Sequence, residues 1–157
     1  MTYPFDNLSP HSKIFIYTAE SPWSVDDEKL INEYLDNFIK SWVSHQNSFP
    51  CAYKLIDQRF IILGADVISL SGCSIDSSRH TIEELGKKIG KDLDVSGKIW
   101  LKDVSGLRLM DIKDIKNSSY LNSDTQYANT LVDVKQELEK GLYTPIHQGW
   151  LAKYLNK

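Results

Sequence analysis

The sequence predicts an α+β fold, and two observations carry that reading. Short runs of β-branched and aromatic residues alternate with longer segments whose apolar residues repeat every three to four positions. Turn-forming residues fall between the runs rather than inside them.

Residues 1–12 carry Pro4 and Pro10 and read as an irregular arm. "KIFIYTA" (13–19) is a strand by its β-branched and aromatic content. The period then changes. Ser24, with Asp27 three residues later, caps a helix start, and Asp26, Asp27 and Glu28 suit the positive end of its dipole. Ile31, Leu35, Phe38 and Trp42 fall on one stripe of a helix of about 20 residues. "CAYKLID" and "RFIILGADV" are two strands reversing near Asp57 and Gln58, an antiparallel hairpin. "TIEELGKKIG" is a second helix: Thr81 and Glu84 fit a capping box, Asp76 offers a start one turn earlier, and Gly90 ends it. "KIWLK" (98–102) is a fourth strand. The order β-α-β-β-α-β is the split-βαβ, or ferredoxin-like, unit.

Beyond it, Tyr127, Leu131, Val134 and Leu138 keep helical spacing, with Asp124 as start and Gly141 as stop. Trp150, Leu151, Tyr154 and Leu155 make a last apolar turn. With no linker rich in Gly, Ser or Pro, residues 1–157 read as one domain. Its parts are an arm (1–12), a split-βαβ core (13–104) and a helical C-terminal extension (105–157).

Two helices on one sheet face leave the other bare. Alternation along the strands puts Phe15, Tyr17 and Trp100 on that face. It is either an open RNA-stacking surface or a packing surface for the extension, with Trp150, Leu151 and Tyr154 to cover it. Packing is favoured, because "DQRFIILG" lacks the aromatic pattern of an RNA-recognition strand and the net charge is −3. No apolar run approaches the ~18 residues of a membrane span, and the start "MTYPFDNLSPHSK" lacks the pattern of an export signal. Two cysteines are too few for a disulfide framework. The expectation is a cytoplasmic protein with reduced thiols and no cofactor.

The stretch "SGCSIDSSRH" (71–80) holds the most suggestive chemistry. If it is helical, Cys73 and His80 stand about 10 Å apart along the axis, too far for a nucleophile–base pair. Connectivity offers a better partner. The start of the second helix, the end of the first, and the starts of the first two strands should share one rim. That rim would gather Cys73, His45, Cys51 and His11, with Trp42 as an apolar wall and Ser74 and Asp76 beside the thiol. A thiolate favoured by the helix dipole, with His45 as base, is one use of such a cluster. A tetrahedral zinc on His11, His45, Cys51 and Cys73 is another, though no CxxC or HxxxH pair preorganises it. The simplest use is packing, with both cysteines as small buried hydrophobes. No phosphate-binding loop, G-x-G-x-x-G, G-x-S-x-G or H-E-x-x-H motif occurs.

"SWVSH", "RFIILGAD", "SGCSIDSS" and "WLAKYL" resemble stretches of a family of small uncharacterised proteins from the Bacteroidota, often labelled "ABC transporter ATPase". The resemblance spans nearly the whole chain and is most specific over residues 71–78. It implies no established activity, and no ATPase motif accompanies it. Three functions follow as expectations. The foremost is a non-catalytic module binding a small molecule or a protein, a second copy of the chain included. The others are a thiol-dependent enzyme using Cys73 with His45, and an RNA-binding domain.

Overall fold

The computed structural model describes residues 4–42, 49–67, 71–118 and 121–154. The fold is mixed α and β with two antiparallel sheets. It divides into two compact units, Met1–Val95 with Val132–Leu138, and Ser96–Leu131 with Glu139–Lys157.

In the first unit β1 (Lys13–Thr18), β2 (Cys51–Ile56) and β3 (Phe60–Ala65) form a sheet of order β1-β3-β2. The reversal between β2 and β3 falls where expected. Asp57 and Gln58 both take φ of 55°, and the Arg59 amide donates to Ile56 O at 3.1 Å. Two consecutive left-handed residues give the turn whose twist matches the paired strands. Central β3 is buried at all six positions, which explains its unbroken apolar run.

One face of this sheet is closed by α1 (Val25–Trp42) and α2 (Gly72–Ile89). Ser24 caps α1 as expected, its Oγ accepting from the Asp27 amide at 3.0 Å. Ile31, Leu35, Phe38, Ile39 and Trp42 are its buried stripe. α2 begins nine residues before Thr81: Ser71 is its cap, accepting from the Ser74 amide at 3.1 Å, and Gly90 ends it in the left-handed conformation. The helices meet Tyr17, Cys51, Ile61, Leu63 and Ala65 in one core. Alternation along the strands therefore turns Phe15 and Tyr17 toward the helices, not away from them. Tyr17 is buried, and its hydroxyl lies 2.8 Å from Ser78 Oγ on α2. The expectation that Phe15, Tyr17 and Trp100 share the sheet face away from the helices is corrected accordingly, since Trp100 belongs to the other sheet.

The opposite face carries Ile14, Ala52 and Gly64, which share one register position. The arm covers it there. A Cβ on Gly64 would lie 2.7 Å from Leu8 Cδ1 and 3.0 Å from a Phe5 ring carbon, so only glycine admits the arm this close. Residues 132–138 return as a strap along the free edge of β1. The Ile14 amide donates to Asp133 O at 3.0 Å, and the Lys135 and Gln136 amides donate to Ser12 O and Pro10 O at 2.9 and 3.0 Å. Lys135 is only 3% exposed, and its ammonium donates to Asp6 O and Leu8 O at 3.0 and 2.7 Å.

The second unit corrects two expectations. The strand at 98–102 does not join β1. As β4 (Lys98–Asp103) it pairs with β5 (Gly106–Asp111) and β6 (Gln126–Ala128), and β7 (Tyr143–Pro145) completes the order β5-β4-β6-β7. The expected helical extension instead contributes three strands. Among the described residues its helical parts are the short turns Ile112–Asn117, Lys135–Leu138 and Trp150–Tyr154, the last of them at the expected final apolar turn. Of the expected 124–141 helix, Tyr127 lies in β6, Leu131 is 67% exposed, Val134 bridges Lys13, and a helical turn, α3, forms at Lys135–Leu138. Asn129, Thr130 and Asp133 are weak helix formers, so four apolar residues at the right spacing did not suffice. Trp150 and Leu151 pack within this unit, with Ile99, Leu101, Ile115, Tyr127 and Ile146. Leu155 lies outside the described residues. No helix is long and apolar enough to cross a membrane among the described residues.

Candidate functional site

The rim that connectivity predicts is present in the strand register, because Lys13 and Cys51 both pair with Ala65. The ends of β1, β2 and β3 thus meet at one edge of the first unit. The candidate side chains are distributed over it unevenly.

Cys51 is buried. Its thiol donates to Ile39 O at 3.6 Å, and burial pushes its pKa up to about 11. A thiol so held is a packing group, inert toward electrophiles at neutral pH. Cys73 is exposed in the first turn of α2. Trp42 and Ser74 are brought together: the indole N–H donates to Ser74 O at 2.9 Å, fixing the end of α1 to the start of α2. Trp42 is 3% exposed and packs edge-on to Phe49, with ring centroids 6.5 Å apart. Asp76 is exposed one turn further along α2. His80 is exposed too, 3.8 Å from Glu84 on the same helix. His45 lies outside the described residues. Among the described residues no group of three or more His, Cys, Asp or Glu side chains is placed to hold a metal ion.

His11 sits elsewhere on this rim, in an open groove of about 530 Å³. The arm supplies Ser9 and His11, β1 supplies Lys13, the exit of β3 supplies Asp66 and Val67, and the strap supplies Val134 and Gln136. Each wall is anchored by backbone bonds. The Asp66 amide donates to Pro50 O at 2.8 Å, and the strap is tied to the arm as described. The Asp66 carboxylate accepts from Ser9 Oγ at 2.9 Å, and Ser9 Oγ lies 3.4 Å from the fully buried Ser12 hydroxyl. Lys13 and His11 contribute an ammonium and an imidazole at the same groove. Sequence reasoning found His11 and missed the rest. Ser9, Asp66 and Gln136 are far apart in the chain, and only the return of the strap brings them together. The one local signal was a carboxylate placed just past the end of an apolar strand.

A second groove, of about 390 Å³, borders the C-terminal half of α2 and includes Glu20, Glu83, Lys87 and Asp94. Gly86 lets the Lys91 carbonyl approach α2 closely here, since a Cβ there would stand 2.6 Å from Lys91 O. Burial raises the pKa of Asp94; nearby Arg79 opposes the rise, while Asp92 and Glu83 add to it. The loop is closed by its own groups: the Asp92 amide donates to Glu20 Oε2 at 2.8 Å, and Lys91 Nζ donates to Ser21 Oγ at 2.7 Å. Glu20 and Lys91 of this groove are engaged by neighbouring groups, whereas at the first groove neither Lys13 nor His11 has a carboxylate within ion-pair distance among the described residues.

Comparison of the chain with protein-family models, with curated proteins and with solved structures found no match.

Proposed function

We propose that the chain is a non-catalytic module that binds a small polar molecule in the groove between arm, β3 exit and strap. The observation that carries this reading is the groove's composition. It combines an aspartate, a lysine, a histidine and an amide with two valines, in a volume typical of small-molecule sites. The strand order β1-β3-β2 with two helices supports a split-βαβ reading of the first unit, with the strap beside β1 where the closing strand would lie. Two unpaired cysteines support a reducing, cytoplasmic location.

A thermal-denaturation screen against small polar metabolites tests the binding reading. A true ligand at a hundredfold excess over its Kd stabilises the fold by about 2.7 kcal/mol. Val134→Trp, which fills the groove, should abolish that stabilisation. A hit that stabilises the variant equally well would place binding elsewhere.

Thiol chemistry at Cys73, with His45 as base, is a second reading, favoured by the exposure of Cys73 in the first turn of an 18-residue helix. It requires Cys73 to be alkylated faster than a free cysteine at pH 7. An ordinary rate removes it.

A further inference from the structure

We infer that the ligand is a free α-amino acid, its ammonium held by Asp66 and its carboxylate by Lys13. This deepens the proposed function and rests on the groove being a binding site.

Three observations carry the assignment. First, the groove presents both signs of charge, and among the described residues neither Lys13 nor His11 has a carboxylate within ion-pair distance. Among the described residues the Asp66 carboxylate accepts a hydrogen bond from the neutral Ser9 hydroxyl. An ionised carboxylate has about four lone-pair positions, so most of its accepting capacity is open to a ligand. Second, Asp66 is preorganised. Its backbone is tied to Pro50, and its side chain is tied through Ser9 toward buried Ser12. A carboxylate positioned by its own supporting bonds suits a cationic donor with several N–H groups, such as a primary ammonium. Third, the spacing is short. Lys13 pairs with Ala65, the neighbour of Asp66. Asp66 lies one residue beyond that pair, so the two backbones start about 6 Å apart, one strand separation plus one residue of rise, and both residues line the same groove. An α-amino acid carries its opposite charges on groups attached to a single carbon, so it can engage both residues at once; a ligand with widely separated charges cannot. Gln136 and His11 add further hydrogen-bonding groups for the carboxylate or a polar side chain. Val67 and Val134 provide apolar contact for the rest of the ligand.

The specificity logic is that of a paired requirement. A ligand lacking one charge leaves either Asp66 or Lys13 without its partner, and such omissions are penalised more heavily than the matching contact is rewarded.

The experiment is isothermal titration of the full chain with each of the twenty common L-amino acids. The best binder's des-amino acid and its decarboxylated amine are then titrated. At least one amino acid should bind, and each single-charge analogue should bind at least tenfold more weakly. Asp66→Asn should weaken the amino acid and the amine but leave the des-amino acid unchanged. Lys13→Met should do the reverse. Asparagine keeps an acceptor for Ser9, and the two variants are independent, so misfolding of one leaves the other and the analogue series to decide. Equal binding of parent and analogues, or variant effects that ignore which charge is missing, would overturn the assignment. If no amino acid binds but a metabolite hit from the screen is abolished by Val134→Trp, the zwitterion falls while the groove reading stands. If neither experiment yields a groove-dependent ligand, both fall.

Discussion

The two faces of the three-stranded sheet are closed by different means. On one, two helices of 18 residues each lay continuous apolar stripes against β1, β2 and β3. On the other, a short arm and a seven-residue strap are fastened at points: Lys135 on two carbonyls, a few backbone bonds, and Leu8 and Phe5 over Gly64. Area holds the first face, and its stabilisation scales with the surface removed from water, about 25 cal/mol per Å². The second also buries Ile14, Phe60 and Ile62, but the segments that cover it are pinned by directional polar contacts, each of which leaves an unsatisfied group behind when broken. The difference indicates where a ligand can reach the molecule. A face assembled from pinned segments leaves charged side chains at its seams, and the groove with Asp66, Lys13 and His11 is such a seam.

The comparison can be broken most forcefully on the helical face. Leu35 is 0% exposed at the centre of the α1 stripe, so Leu35→Ala should cost about 2–5 kcal/mol in urea denaturation. A loss under about 1 kcal/mol would mean that this face is not held by apolar area. Lys135→Met tests the other face. It removes the donor to Asp6 O and Leu8 O, and should cost about 1–3 kcal/mol. The loss should be local first, with faster hydrogen exchange at residues 5–12 and little change along α1. Uniform acceleration through both regions would show that the two faces open together.

The cysteines sharpen the contrast further. With iodoacetamide at pH 7, exposed Cys73 should label at least tenfold faster than Cys51, whose thiol is buried and raised to about 11. Cys51 belongs to the helical face, so Lys135→Met should leave its slow rate unaltered.

The smallest effect concerns Asp94. Its folded pKa lies above the ordinary carboxylate value, chiefly through burial. The folded state therefore holds this proton more tightly than the unfolded chain does. The resulting stabilisation is present below the unfolded pKa and is lost as pH rises through the raised one. At neutral pH the fold carries a partly desolvated carboxylate, so Asp94→Asn should raise the melting temperature slightly. The gain should vanish in mild acid, and a lower melting temperature at pH 7 would contradict it.

Most of the first unit was legible in the sequence because its signals were local. The α1 stripe, the Ser24 cap and the β2–β3 reversal each lie within a short window. The start of α2 was legible only in part, since Ser71, Gly72, Ser74, Ser77 and Ser78 dilute its first turns with poor helix formers. The second unit was misread where a periodicity match competed with tertiary pairing. Tyr127 fits a helical stripe, yet it is fixed in β6 by pairing with Leu101 and by its hydroxyl donating to Gln148 O at 3.1 Å. β5 escaped notice although Leu107 and Leu109 alternate with Arg108 after a Ser105–Gly106 turn, a faint period of two. The groove was half visible. Chain connectivity located the rim and His11, but Gln136 and Val134 arrive from far along the chain, and no local pattern announces a strap.

That strap has a consequence for how the protein is made. The first unit needs Val132–Leu138 to complete it, and all of 96–131 must leave the ribosome before those residues do. Folding during translation proceeds from the N-terminus, so the nascent sheet waits with one edge of β1 unpaired while the intervening polypeptide is synthesised. Until Lys135 emerges, the arm has no buried ammonium to fasten it, and truncation by a premature stop before that codon would yield a chain with an uncovered strand edge, a known route to aggregation.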